Sequence, residues 1–144
     1  MPGSVSAEEC FAIQDLLMAY VYATDTGDAQ GYADTFAGDG VLYTSKGETI
    51  MGGAAIRDYA SKTSTAPGNR GRQHYFQTIR VSREAGGLRV FSFWHVVDMK
   101  AEPRVARVRS MGTCDDLCVM TELGLRFAER RIGPWNDQTA PWVG

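Results

Sequence analysis

At Gln73 the apolar pattern of this chain changes period, and the change divides what its two halves can become. Downstream, apolar and polar residues alternate in long runs: His74 to Arg83, Leu88 to Met99, Arg104 to about Met120, and Leu123 to Ile132. Alternation of this kind belongs to strands that turn one face to a core. Between the runs stand Ala85-Gly86-Gly87, Ala101-Glu102-Pro103 and Thr121-Glu122, stretches short enough only for hairpin turns. Strands joined in this way pair antiparallel.

Upstream of Gln73 the pattern is mostly helical. Ser6-x-x-Glu9 forms a capping box, after which Ile13, Leu16, Leu17, Tyr20, Val21 and Thr24 recur at helical spacing until Gly27 stops the run. Asp28 can cap a short second helix, AQGYADTF, with Tyr32, Ala33 and Phe36 on one face before Gly38-Asp39-Gly40 ends it. Val41 to Thr44 and Glu48 to Met51 read as two short strands about a Lys46-Gly47 turn. A third helix runs from about Ala54 to Lys62 with Ile56, Tyr59 and Ala60 inward, and TSTAPGNRGR follows as a mobile polar loop able to act as a lid.

Helices first and hairpin-linked strands afterwards predict an α+β domain. The expected form is one strongly curved antiparallel sheet of about four to six strands, wrapped with the N-terminal helices into a cone around an internal pocket. In the fifth strand the run Gly112 to Asp116, GTCDD, predicts a bulge or bend where the sheet curls. The tail, PWNDQTAPWVG, is expected to fold back over a sheet edge.

Composition narrows the function. The 144 residues make one domain, 1–144, and a net charge of −2 argues against nucleic acid as a partner. The chain holds no apolar run of the ~18 residues a membrane span needs, so a cytoplasmic protein without a membrane partner is expected. Cys10, Cys114 and Cys118 are an odd number without a CxxC, and they read as free thiols rather than metal ligands. No Gly-rich phosphate loop, GxSxG or HExxH is present, and no cofactor is expected.

One carboxylate stands where a helix disfavours it. At ~100° per residue, Asp25 falls between Val21 and Met18, beside the apolar arc of Ile13, Leu17 and Tyr20. It also occupies the last turn, where the helix dipole opposes an anion by roughly 0.3 to 1 kcal/mol. Either it braces the following turn at a wet rim, or it is a buried carboxylate serving as a base or as the partner of a histidine.

The chain has two histidines, and each lies within a strand pattern. His74 alternates with Phe76 and Thr78, and His95 shares its face with Phe91, Phe93 and Val97. Taken singly, each could be a satisfied core residue. Together with an inward Asp25 they are expected to converge on one cavity, where a carboxylate would fix the imidazole tautomer and make it a competent general base. Tyr20 on the same helical arc and Tyr43 on the first strand could donate to a developing enolate oxygen, with packing as the alternative for each. Ser110 and Thr113 are weaker polar candidates. Phe76, Phe93 and Ser110 are the expected substrate contacts, in a cavity lined by Phe, Trp and Met that suits an apolar, ring-containing guest. Arg104, Arg107 and Arg109 read as a solvent or dimer face rather than an anion site.

These residues also carry a resemblance. AIQDLLMAYVYATDTGD, YADTFAGDGVLY, RQHYFQTIRV and GLRFAERRI ahead of a Pro-Trp pair look like the SnoaL-like and scytalone dehydratase-like proteins of the nuclear transport factor 2-like superfamily. The resemblance covers nearly the whole chain, and it implies a cystatin-like cone, cofactor-independent acid/base chemistry and a homodimer or higher homo-oligomer. In scytalone dehydratases an aspartate at the end of the first helix pairs with a histidine at the start of the third strand, and a second histidine and tyrosines line the cavity; Asp25, His74, His95 and Tyr43 match in order. One departure is Thr24, where those enzymes carry a tyrosine; Tyr20, five residues before Asp25, is instead similar to the arrangement in bile-acid dehydratases. The expected function is a dehydratase-type lyase acting on a small apolar substrate through Asp25 and His74. The alternatives are an isomerase, a polyketide cyclase or a retro-aldol lyase on the same scaffold, or a domain that only binds a ligand or a protein.

Overall fold

The computed structural model describes residues 3–139. Helix α1 spans Ala7–Thr26, and its start is closed twice over. Ser6 Oγ accepts from the Glu9 N–H at 3.1 Å, Glu9 accepts from the Ser6 N–H at 2.8 Å, and Arg83 from the sheet clasps both Glu9 oxygens at 2.7 Å. Gly27, at φ +78°, ends the helix in the left-handed conformation that glycine adopts without strain.

Helix α2 covers Ala29–Asp34, two residues shorter than the run AQGYADTF. Phe36 leaves the helix because it opens strand β1, Phe36–Tyr43, in register with Phe127. Gly38-Asp39-Gly40, expected to end α2, therefore lies within β1. At Gly40 a side chain would stand 2.9 Å from the carbonyl oxygens of Ala37 and Phe127, so only glycine allows this irregular pairing. Strand β2 (Thr49–Met51) and helix α3 (Gly53–Ser64) follow. The long strands are β3 (Arg72–Glu84), β4 (Gly87–Lys100), β5 (Val105–Thr121) and β6 (Gly124–Pro134).

The six strands form one sheet in the order β2-β1-β6-β5-β4-β3. Four neighbouring pairs are antiparallel as expected, but β1 runs parallel to β6 and the sheet is mixed. No hairpin joins these two strands, so nothing local imposes an antiparallel direction. Helix α1 lies across the inner face, where Ile13, Leu16 and Leu17 pack with Ile56 of α3 and with Leu42, Val90 and Phe127 of the sheet. Among the described residues no helix is long and apolar enough to cross a membrane.

The bulge expected at Gly112 to Asp116 falls on either side of that run. Residues 112–116 pair without a break, whereas the β4–β5 register shifts at Val96/Val97 and the β5–β6 register at Leu117/Cys118. Gly112 is needed for another reason: a side chain there would collide with the Gly133 carbonyl and stand 2.6 Å from the Trp94 ring. Trp135 of the tail lies against Phe93 on the outer face of the sheet, ring centres 4.8 Å apart, rather than over an edge. The last tryptophan lies outside the described residues.

Candidate functional site

The site begins where the end of α1 meets the start of β3. Strand β3 is the edge of the sheet, so N–H groups on its open side have no strand to receive them. Asp25 receives one: its Oδ2 accepts from the His74 backbone N–H at 2.8 Å. Its Oδ1 lies 2.6 Å from Nδ1 of the same residue's ring. A carboxylate only accepts, so in this contact Nδ1 carries the proton and the lone pair of the neutral ring sits on Nε2. Both side chains are 16% exposed, and His74 lines a cavity of about 360 Å³ under the helices. That volume falls within the range of small-molecule sites.

Tyr20 of α1 and Tyr32 of α2 meet in the same cavity, hydroxyl to hydroxyl at 2.9 Å. Burial pushes both phenols above their ordinary values, Tyr32 well above, so both stay protonated at neutral pH. One hydroxyl proton is used between them, and the other can be donated to a guest.

Beneath Tyr20 lies an unexpected cation. The Arg130 guanidinium sits 4.1 Å from the Tyr20 ring centre, 4.5 Å from Phe127 and 5.0 Å from Phe76, with no exposure to solvent. It donates to Asp116 Oδ2 at 2.7 Å and to Cys114 Sγ at 3.2 Å. Burial pushes the Asp116 carboxyl up to about 7, against the pull of Arg130. Burial also opposes the Arg130 charge, but Asp116 and the neighbouring thiol and phenols outweigh it and hold the guanidinium above its ordinary value. The arginine is therefore charged throughout, and the variable of this contact is the Asp116 proton. Burial pushes the Cys114 and Cys118 thiols up to about 12, which rules them out as thiolate nucleophiles at neutral pH.

The structure thus brings Asp25, His74, Tyr20, Phe76 and Ser110 to one place. Three expected residues lie elsewhere. His95 is on the outer face of β4, its ring stacked on Tyr75 at 5.1 Å and its Nδ1 3.0 Å from Gln77 Nε2. Phe93, two residues away on that face, packs against Phe91 and Trp135. Tyr43 alternates with the buried Leu42 and so faces outward, under the Arg131 guanidinium at 3.8 Å. The cause is the pairing register: His74 sits opposite Val96, so its face is that of Trp94 and Val96, while His95 belongs to the other. Both faces of β4 are rich in apolar residues, and the pattern alone did not say which was inner.

The lining differs from expectation as well. Phe76 and Trp94 are there, and so are Arg72, Arg109 and Arg130, but among the described residues no methionine is. Arg109 is exposed, as expected of a solvent-face residue, but it also borders the cavity and donates to the Gly68 carbonyl at 2.8 Å and to Asn69 Oδ1 at 3.1 Å, tying down the expected lid loop. Within that loop, Asn69 donates to the Thr63 carbonyl at 2.7 Å.

Comparison with known proteins agrees with this architecture. No curated protein sequence matches the chain. Solved structures of similar fold include Aln2 from a Streptomyces species, at 20% identity over 92% of this chain and 94% of that one, TM-score 0.83. An NTF2-like protein with a cystatin-like fold from Novosphingobium aromaticivorans is 18% identical over 95% of each chain, TM-score 0.77. A protein of the same organism assigned provisionally as a scytalone dehydratase is 19% identical over 86% of this chain and 82% of that one, TM-score 0.72. At such identities the likeness carries the fold alone. The SnoaL-like domain model matches residues 5–131, and the chain belongs to the SnoaL-like family.

Proposed function

We propose that this chain is a cofactor-independent lyase of the dehydratase type, with His74 as its base. The observation that carries the reading is the double grip of Asp25 on His74, backbone and ring, which commits Nδ1 and leaves Nε2 to the cavity. A histidine placed only for packing has no need of a carboxylate that fixes its tautomer. The provisional scytalone dehydratase of similar fold is consistent with this.

The substrate class that fits is a ring-bearing β-hydroxy ketone. His74 Nε2 takes the proton from the carbon beside the carbonyl, and the C–H electrons pass to the carbonyl oxygen as an enolate. Tyr20 or Tyr32 meets that oxygen with the hydroxyl proton not used between them. As the carbonyl re-forms, the enolate electrons make the new C=C bond and expel hydroxide, which leaves as water with the proton held on Nε2. One imidazole serves for both proton steps, a role consistent with His95 lying on the other face.

Proton abstraction can be read without knowing the natural leaving group. In deuterated water the protein should exchange the α-protons of a bicyclic ring ketone such as α-tetralone, followed by NMR. His74→Ala should lower that exchange by about 10²- to 10⁴-fold, the usual share of a general base. Exchange unchanged in a folded His74→Ala protein would return His74 to packing.

A further inference from the structure

The cavity holds three guanidinium groups, and two of them are engaged. Arg130 is paired with Asp116, and Arg109 with Gly68, Asn69 and, at 3.5 Å, Asp98. Arg72 is different. It is half-buried in the cavity lining, and its guanidinium makes no hydrogen bond or ion pair with any described residue. The acid whose charge acts on it is Asp25, whose two oxygens are both taken by His74. Burial, and secondarily the like charge of Arg109, press the Arg72 guanidinium below its ordinary value. A half-buried cation with five free donors is an arrangement that a ligand anion would complete.

Its position relates it to the base. Arg72 and His74 are two residues apart on β3, so their side chains leave the same face roughly 7 Å apart along the strand. The planar fork of an arginine fits the two oxygens of a carboxylate. We propose that the substrate carries a carboxylate and that Arg72 receives it, fixing the ring so that the acidic carbon lies at His74 Nε2. The inference deepens the lyase reading and rests on it for the identity of the cavity as the substrate site. It replaces a purely apolar guest by a ring acid, held by Phe76 and Trp94 on its faces and by Arg72 at its carboxylate end.

The test uses 2-naphthoate and its neutral counterpart 2-naphthamide as probes, titrated into the whole chain by calorimetry. The wild-type protein should bind the naphthoate about tenfold to hundredfold more tightly than the amide, the range expected for a charge-assisted pair. Arg72→Gln should abolish that preference while leaving amide affinity as it was. Arg72→Lys, which keeps the charge and loses the fork, should retain part of it and serves if the glutamine variant fails to fold. Equal binding of the two probes by the wild type, or an undiminished preference in Arg72→Gln or Arg72→Lys, would overturn the proposal. The same titration on His74→Ala separates the two readings. The carboxylate preference should persist there, since it does not depend on His74 being a base, and its failure in the wild type would leave the proton-exchange result untouched.

Discussion

Asp25 shows at the scale of one residue why a sequence can announce its own site. A carboxylate in the last turn of α1, on the apolar side, carries two penalties, and the structure supplies their compensation in two hydrogen bonds from His74. That pair was legible in two steps: the helical wheel turned Asp25 toward the histidines, and the family resemblance singled out His74 from the two. The Arg130–Asp116 pair was not. Strict alternation from Leu125 and Phe127 would place Glu129 and Arg131 inward, but the extra residue at the β5–β6 register shift reverses the parity and turns Arg130 into the core. The contact also sets a pH dependence. With its folded value raised from 3.8 to about 7, Asp116 holds in the native state a proton that the unfolded chain releases. Between about pH 4 and 7 the native state binds more protons, so the contribution of Asp116 to stability falls as pH rises through that window. Urea midpoints measured across it should show the wild type losing stability relative to Asp116→Asn as pH rises; a parallel or opposite trend would contradict the shift.

At the scale of the element, the site depends on which face each strand turns inward. Strand β4 presents Val90 and Val96 on one side and Phe91, Phe93 and Val97 on the other, and only its pairing with β3 decides between them. The sequence therefore showed that β4 is a strand, and that His95 shares its face with Phe93, without revealing that this face is the outer one. The parallel β1–β6 pair escaped for a related reason, since β1 and β6 lie far apart in the sequence with no turn between them to read. Catalysis should respect the register found. His95→Ala and Tyr43→Phe should both leave α-proton exchange close to the wild-type rate, because neither side chain reaches the cavity. A large loss in either, with the fold intact, would place that residue at the chemistry after all.

Over the whole molecule, the curved sheet and the three helices divide the interior into two parts. Around Leu17, Ile56, Val90 and Phe127 the space is filled, while between Tyr32, Trp94 and His74 it opens into the cavity. The buried Arg130 stands at their boundary, packed under Tyr20 and Phe127 on the core side and lining the cavity on the other. The site is thus assembled from both ends of the chain: α1 supplies the carboxylate and a phenol, β3 the imidazole, and β6 the cation below them. What the assembly should do is act as one unit at Asp25 and His74. The most direct measurement is a double-mutant cycle on α-proton exchange, comparing Asp25→Asn, His74→Ala and the two combined. Each single change should lower the rate by about 10²- to 10⁴-fold, and the combination should be little worse than His74→Ala alone, as for residues that work through one another. Losses that multiply in full would mean that the two side chains act separately, and would contradict the account.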